Sequence, residues 1–160
     1  MFKYPWIIFM IINSVNAFSI PKRNQSYIDE KPERKQGYQK AFLYFLIFGN
    51  LPFLIMAVGM LSGMTNSIFD YLSISQLNPI VLLFYGSVLL IWLLIIKFIF
   101  FNRGIKFLNE HPGIIHTRGF NSATNTLDET TVKAMTLLMA IGYVITLIVL
   151  WNFDFADITP

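Results

Sequence analysis

The sequence has no cysteine and few charged residues, and both absences narrow the classes of protein to which it can belong. Without cysteine the chain has no disulfide, no thiolate metal site, no iron–sulfur cluster and no cysteine nucleophile. Charged residues make up 13% of the chain, whereas they make up about 25% of a typical soluble domain. Hydrophobic residues make up 55% of its 160 residues. This composition indicates a membrane protein.

Further absences exclude several functions. Twelve Lys and Arg against nine Asp and Glu give a net charge of +3, which is too small and too scattered to indicate nucleic-acid binding. Lys97 is the only charged residue within the long apolar segments. Because ionisable groups at bilayer depth carry proton transfer and cation binding, their scarcity argues against a proton relay or an intramembrane metal hydrolase. No internal repeat of the kind found in many transporters links the apolar segments.

Three apolar segments are long enough to cross a bilayer as helices, which needs about 20 residues. They cover residues 41–62, 79–101 and 134–151. Asn78 and Pro79 suit the start of the second helix as N-cap and first helical residue, and Thr126 and Glu129 match a capping box ahead of the third. The sequence therefore predicts an all-α, polytopic transmembrane helical bundle.

The N-terminal segment, residues 1–20, has three interpretations. Its apolar run followed by Ala17 resembles a signal peptide with a cleavage site. If it is retained, it is either a short fourth span or a helix lying in the membrane interface. The retained forms are favoured by the charge pattern, and the domain prediction is this segment, a basic cytoplasmic segment (21–40) and a three-span membrane domain (41–160).

Positive charges alternate along the chain. Residues 21–40 contain six Lys and Arg and residues 102–133 contain four, whereas residues 63–77 contain none. Because cytoplasmic loops are enriched in Lys and Arg, residues 21–40 and 102–133 are predicted to be cytoplasmic. Residues 63–77 and the C-terminus are predicted to lie outside. The loop at 67–77 is also too apolar to be free in water, so an interface or another subunit is expected to bury it.

Small and flexible side chains share one face of the first predicted span. At 100° per residue this face carries Gly49, Pro52, Met56, Gly59, Met60 and Gly63. The opposite side carries Leu51, Leu54, Ile55 and Val58 and suits lipid. Gly59 and Gly63 form a G-x-x-x-G motif, which is typical of close helix–helix contacts. The face predicts packing against a helix of this chain, of a membrane-protein partner or of a second copy.

The same face carries Met56 and Met60, and Met135 and Met139 repeat that spacing in the third span. M-x-x-x-M beside G-x-x-x-G in a three-span chain resembles copper-transporter-like proteins over these few positions, and the resemblance implies thioether ligands for a soft metal. The favoured interpretation is that the methionines fill irregular gaps between helices.

Three functions remain after these exclusions. The leading one is a non-catalytic accessory or scaffolding subunit in the lipid bilayer, with no cofactor. A channel or carrier is the first alternative, and its path would be lined by Asn50, Tyr85, Ser87, Thr136 and Thr146. The second is a membrane-surface enzyme that uses Glu110, His111 and His116, whose donor types suit a divalent metal.

Overall fold

The computed structural model describes residues 4–114 and 128–152, and within these ranges it contains helices and no strands. The helices are α1 (Pro5–Arg23), α2 (Gln25–Glu30), α3 (Lys35–Leu61), α4 (Pro79–Phe101), α5 (Gly104–Glu110) and α6 (Glu129–Asn152), with short 3-10 turns at Pro32–Arg34, Ile68–Leu72 and Ile74–Gln76. Three helical stretches are long and apolar enough to cross a membrane, namely Pro32–Leu61, Pro79–Phe101 and Glu129–Asn152. The predicted all-α transmembrane fold and its three spans are confirmed.

The ends of the long helices follow from local side-chain chemistry. Asn78 Oδ1 accepts a hydrogen bond from the backbone N–H of Ile80 at 3.0 Å, and Pro79 is the first residue of α4, as predicted. At α6, Thr126 of the predicted capping box lies outside the described residues. The helix begins at Glu129, and the Asp128 carboxylate accepts from the backbone N–H and the hydroxyl of Thr131. These hydrogen bonds lower the pKa of Asp128.

Helix α1 forms an antiparallel pair with α3, and this pairing is the most extensive in the fold. Phe9 stacks on Phe53, and Phe18 contacts Phe42 nearer the other end of the pair. Between them, Asn13 Nδ2 donates to the carbonyl of Gly49 at 2.7 Å. Helix α1 therefore packs along α3 from Phe9 to Phe18.

The other long helices follow in chain order. Helix α3 packs against α4, and α4 packs more loosely against α6. Thr136 is the only buried residue of α6, although the helix has 24 residues. The long helices therefore form an open row whose last member is held on one side only.

One end of the row is closed by a cluster that we call the basic-end cluster. Its buried side chains are Ile20, Ile28, Tyr38, Ala41, Ile99, Ile105, Leu108 and Ile114. They come from the end of α1, from α2, from the start of α3, from the end of α4, from α5 and from the turn after it. The segments that the sequence marks as basic therefore lie together at this end.

The opposite end is closed by what we call the loop-end cluster, formed by Met56, Tyr71, Ile74, Ile80 and Val81. Two of these residues come from the apolar loop between α3 and α4, which folds back onto the helices as two 3-10 turns. The sequence predicts that this loop is buried against an interface or another subunit. Tyr71 and Ile74 are instead buried against other parts of the same chain.

Candidate helix-packing site

The Gly/Met face of α3 is used by the chain's own helices. Pro52, Met56 and Gly59 are buried, and Gly49 and Met60 are half-buried. Gly49 faces Asn13 of α1 with an ordinary contact distance, since a Cβ there would lie 3.8 Å from the Asn13 side chain. Because these contacts are intramolecular, the face positions α1 and α4 around α3.

Gly63 is the exception. Helix α3 ends at Leu61, and Gly63 lies beyond it with a φ of +76°, exposed and with open space where a Cβ would be. Gly59 and Gly63 therefore do not form one helical packing surface. The second glycine turns the chain out of the helix instead, which its freedom at positive φ permits.

Gly59 permits the tightest approach on this face. A Cβ on Gly59 would overlap the hydroxyl of Tyr71 and would lie 2.9 Å from Cγ1 of Ile80, the second residue of α4. A glycine here lets the ring of Tyr71 and the start of α4 lie directly on the backbone of α3. The opposite side of α3 is less uniform than predicted, because Leu54 and Val58 are exposed whereas Ile55 packs against the loop-end cluster.

Three tyrosine hydroxyls link the neighbouring helices through backbone carbonyls. Tyr143 of α6 donates to the carbonyl of Tyr85 at 2.7 Å, and Tyr85 of α4 donates to the carbonyl of Tyr71 at 2.6 Å. Tyr71 in turn donates to the carbonyl of Met56 in α3 at 3.3 Å. Burial raises the pKa of Tyr71, so its hydroxyl remains a donor at neutral pH. We call this chain of contacts the tyrosine ladder.

A second set of polar contacts joins α1 to α3. Asn50 is buried, and its Nδ2 donates to the carbonyl of Leu46 at 2.8 Å and lies 3.4 Å from Oγ of Ser14. The amides of Asn13 and Asn50 therefore point into the helix pair, away from lipid. Asn50 Oδ1 accepts no hydrogen bond.

The methionines have different surroundings. Met56 is 3% exposed within the loop-end cluster and Met60 packs against that cluster, whereas Met135 and Met139 are exposed on α6. In their places Met56 and Met60 fill space among aromatic and aliphatic side chains, as methionine does where helices meet irregularly.

His111 is half-buried at the basic end. Its ring stacks on Phe107 with centroids 4.3 Å apart and meets the ring of Tyr38 edge-on at 5.4 Å. Nδ1 lies 2.8 Å from the carbonyl of Phe107. Nε2 lies over Gly37, where any Cβ would overlap the imidazole. Both ring nitrogens thus face protein.

The turn after His111 is held by hydrogen bonds from two helices. Tyr38 donates its hydroxyl to the carbonyl of Pro112 at 2.8 Å, and Arg23 donates to the carbonyls of Gly113 and Ile114 at 2.9 and 3.0 Å. Gly113 has a φ of +81°, and a Cβ there would overlap the side chain of the buried Asn24. A glycine is therefore required at this turn on both grounds.

The three residues of the enzyme hypothesis have different surroundings. Glu110 is exposed and lies 3.8 Å from Lys106 one helical turn away, and His116 lies outside the described residues. Among the described residues, no three His, Asp or Glu side chains are grouped closely enough to hold a metal ion.

The residues of the channel hypothesis make hydrogen bonds within the protein. Ser87, Thr136 and Thr146 each donate a hydroxyl hydrogen bond to a carbonyl of their own helix. Asn50 lies between α1 and α3, while Tyr85 belongs to the tyrosine ladder.

Sequence reasoning missed the residues that hold the two ends together, above all Tyr71, Arg23 and Asn24. Tyr71 carried a usable signal, since an aromatic residue in an apolar loop between two spans is expected to fold back onto them. The contact of Arg23 could not be predicted, because the predicted membrane orientation already accounted for its positive charge.

Comparison with protein-family models, with curated proteins and with solved structures found no match. The function must therefore be argued from the geometry of the chain itself.

Proposed function

We propose that the chain is a non-catalytic integral membrane protein that serves as an accessory or scaffolding subunit. The observation that supports this most directly is the exposure of the apolar side chains of α6. Its side chains are apolar and exposed along most of its length, and its main contacts are with α4 and the turn Ile74–Gln76. A helix held on one side leaves the other sides for lipid and for a neighbouring membrane helix.

The proposed partner surface lies on α6 and not on the Gly/Met face of α3. The Gly/Met face of α3 is occupied by α1, by α4 and by Tyr71. On α6, Gly142 is exposed, and a Cβ there would meet nothing within 4 Å. A glycine among exposed Leu, Ile and Val residues would let a partner helix, or a second copy of the chain, approach closely at this position.

The contacts of the side chains named in the enzyme and channel hypotheses support a structural role. The His111 ring lies against Tyr38, Phe107 and Gly37. The hydroxyls proposed to line a channel donate to backbone carbonyls of their own helices or to the tyrosine ladder. No observation in the described residues favours the channel or the surface enzyme over the accessory subunit.

The proposed orientation places the basic-end cluster in the cytoplasm. The described cations at that end lie in α1, in the turn between α2 and α3, at the start of α3, at the end of α4, in and just before α5, and at the start of α6. At the other end, Asp70 is the one charged residue between positions 41 and 78. An imbalance of Lys and Arg of this kind sets orientation during insertion. The retained α1 fits this arrangement, since Ala17, at the signal-peptide cleavage site considered above, is fully buried against the rest of the chain.

The test combines purification with a pair of glycine variants. The tagged full-length chain, extracted in mild detergent, is expected to co-purify with a stoichiometric membrane partner or to elute as a defined oligomer. Gly142→Leu should release that partner while leaving the thermal stability of the chain unchanged, because the space at Gly142 is open. Gly86→Leu, at a second exposed glycine with open space, is the matched control on α4. A chain that is monomeric and partner-free in membranes, or a complex that survives Gly142→Leu, would contradict the proposal.

A further inference from the structure

A surface cavity of about 450 Å³, open to solvent and lined by exposed polar side chains, lies at the basic end, where the chain turns from α1 into α3. Helix α2 contributes Gln25, Ile28 and Asp29 to its lining, and the first turns of α3 contribute Lys35 and Gln39. Its volume falls within the roughly 300–1,000 Å³ of ordinary small-molecule sites. The cavity thus combines two amides, one carboxylate, one ammonium and an aliphatic side chain.

The two charges in this cavity are not paired with each other. The described ion pairs join Arg34 to Glu30, Lys106 to Glu110 and Lys133 to Glu129, each within one helical turn. Asp29 accepts a neutral hydrogen bond from Gln25 at 2.8 Å. An anion and a cation are therefore both available to a ligand in one cavity.

The position of the cavity relates it to the membrane surface. Gln39 lies two residues before Ala41, where the uncharged run of α3 begins. In a membrane-spanning helix, this boundary between charged and apolar residues lies at the level of the lipid headgroups. The cavity is thus at a depth where headgroups are present at high local concentration.

We propose that this cavity binds a molecule that carries both a primary ammonium and a phosphate, which is the chemistry of phosphatidylethanolamine and of free phosphoethanolamine. Asp29 accepts hydrogen bonds from the ammonium, and Lys35 donates to the phosphate. The amides of Gln25 and Gln39 supply further donors and acceptors, and Ile28 contacts the carbons between the charges. A headgroup with only negative charge would face the Asp29 carboxylate with like charge, and a trimethylammonium group has no N–H to donate.

The test uses the purified full-length chain and native mass spectrometry. Phosphatidylethanolamine, phosphatidylcholine and phosphatidylglycerol with identical acyl chains are added one at a time, and the lipid-bound fraction is measured. The wild type should retain phosphatidylethanolamine best. Asp29→Asn should lower the ratio of bound phosphatidylethanolamine to bound phosphatidylcholine by about threefold, and Lys35→Gln should lower the binding of both by a similar factor.

Matched controls lie in the same turn of the chain. Lys31→Gln and Glu33→Gln make the same charge changes at exposed residues that do not line the cavity, and they should leave lipid retention unchanged. Circular dichroism and thermal melts establish that each variant is folded, so a loss of binding reports on the cavity.

The outcomes separate the two sources of the ligand and can overturn the proposal. Displacement of the lipid by free phosphoethanolamine would show that the headgroup chemistry suffices, and failure to displace it would identify the membrane lipid as the ligand. Equal or better retention of phosphatidylglycerol would overturn the proposal. So would a phosphatidylethanolamine preference that survives both cavity substitutions, or one that the control substitutions reduce equally.

Discussion

Gly59 is the residue of α3 on which the packing at the loop end depends. The hydroxyl of Tyr71 and the side chain of Ile80 occupy the space that any larger side chain would need. Tyr71 also donates to the carbonyl of Met56 at 3.3 Å, and a displaced ring would lose this hydrogen bond.

We expect Gly59→Leu to destabilise the folded chain by about 1–3 kcal/mol, the usual scale for overpacking a close contact. The measurement is the thermal midpoint of unfolding in detergent. Val58→Leu is the control, because Val58 is the neighbouring residue and is exposed. Equal midpoints for the two variants would contradict the close approach at Gly59.

His111 is expected to matter for stability and not for metal binding. His111→Ala removes the stacking on Phe107, the edge contact with Tyr38 and the hydrogen bond at Nδ1, so we expect a loss of about 1–3 kcal/mol. The metal content of the purified chain, measured by elemental analysis, should not change.

Glu110→Gln provides the control for His111. It alters only an exposed pair with Lys106, which typically contributes less than about 1 kcal/mol. Stoichiometric metal in the wild type that is absent from His111→Ala would revive the enzyme hypothesis.

At the scale of the elements, the antiparallel pair of α1 and α3 organises the row. Apolar side chains of α1, among them Ile11 and Val15, are exposed, whereas Asn13 and Ser14 turn toward α3. This distribution places the polar side chains of an otherwise apolar helix where a neighbouring helix can satisfy them.

The pairing can be tested by cross-linking because the chain has no native cysteine. Phe9→Cys combined with Phe53→Cys should be joined efficiently by a short thiol-reactive reagent in membranes, since these two rings stack at 5.0 Å. Phe9→Cys combined with Phe42→Cys is the matched control and should not be joined, because Phe42 contacts Phe18 instead. Similar yields for both pairs would contradict the antiparallel register.

At the scale of the whole molecule, the two ends differ in charge. The basic-end cluster is surrounded by Lys and Arg from four helices, whereas the loop-end cluster has only Asp70 nearby in the sequence. The carboxylate of Asp70 is used locally, since it accepts from the hydroxyl of Ser67 at 3.0 Å. The described Lys and Arg side chains therefore all lie toward one end of the molecule.

This asymmetry predicts the orientation in the membrane. A reporter that is active only outside the cytoplasm should be active when fused after Gln76 and silent when fused after Asn121. Removing the positive charges of residues 22–40 should weaken this difference. The opposite pair of reporter results would reverse the orientation and would support a cleaved N-terminal segment.

The sequence by itself determined the helical class, the three spans and the start of α4. These features depend on the length of apolar runs and on capping residues, which act over a few neighbouring positions. It also predicted which residues share the Gly/Met face of α3, because the period of a helix fixes which residues share a side, although Gly63 lies beyond the end of the helix.

Only the tertiary structure decided what covers each face. The contacts that do so join residues far apart in the chain, such as Asn13 with Gly49, Tyr85 with Tyr143 and Arg23 with Gly113. A single sequence encodes the face of a helix but not its partner, because several apolar helices could satisfy the same face and close packing selects among them. For this reason the packing of α1 on α3 and the surroundings of His111 could be described only once the helices were placed together.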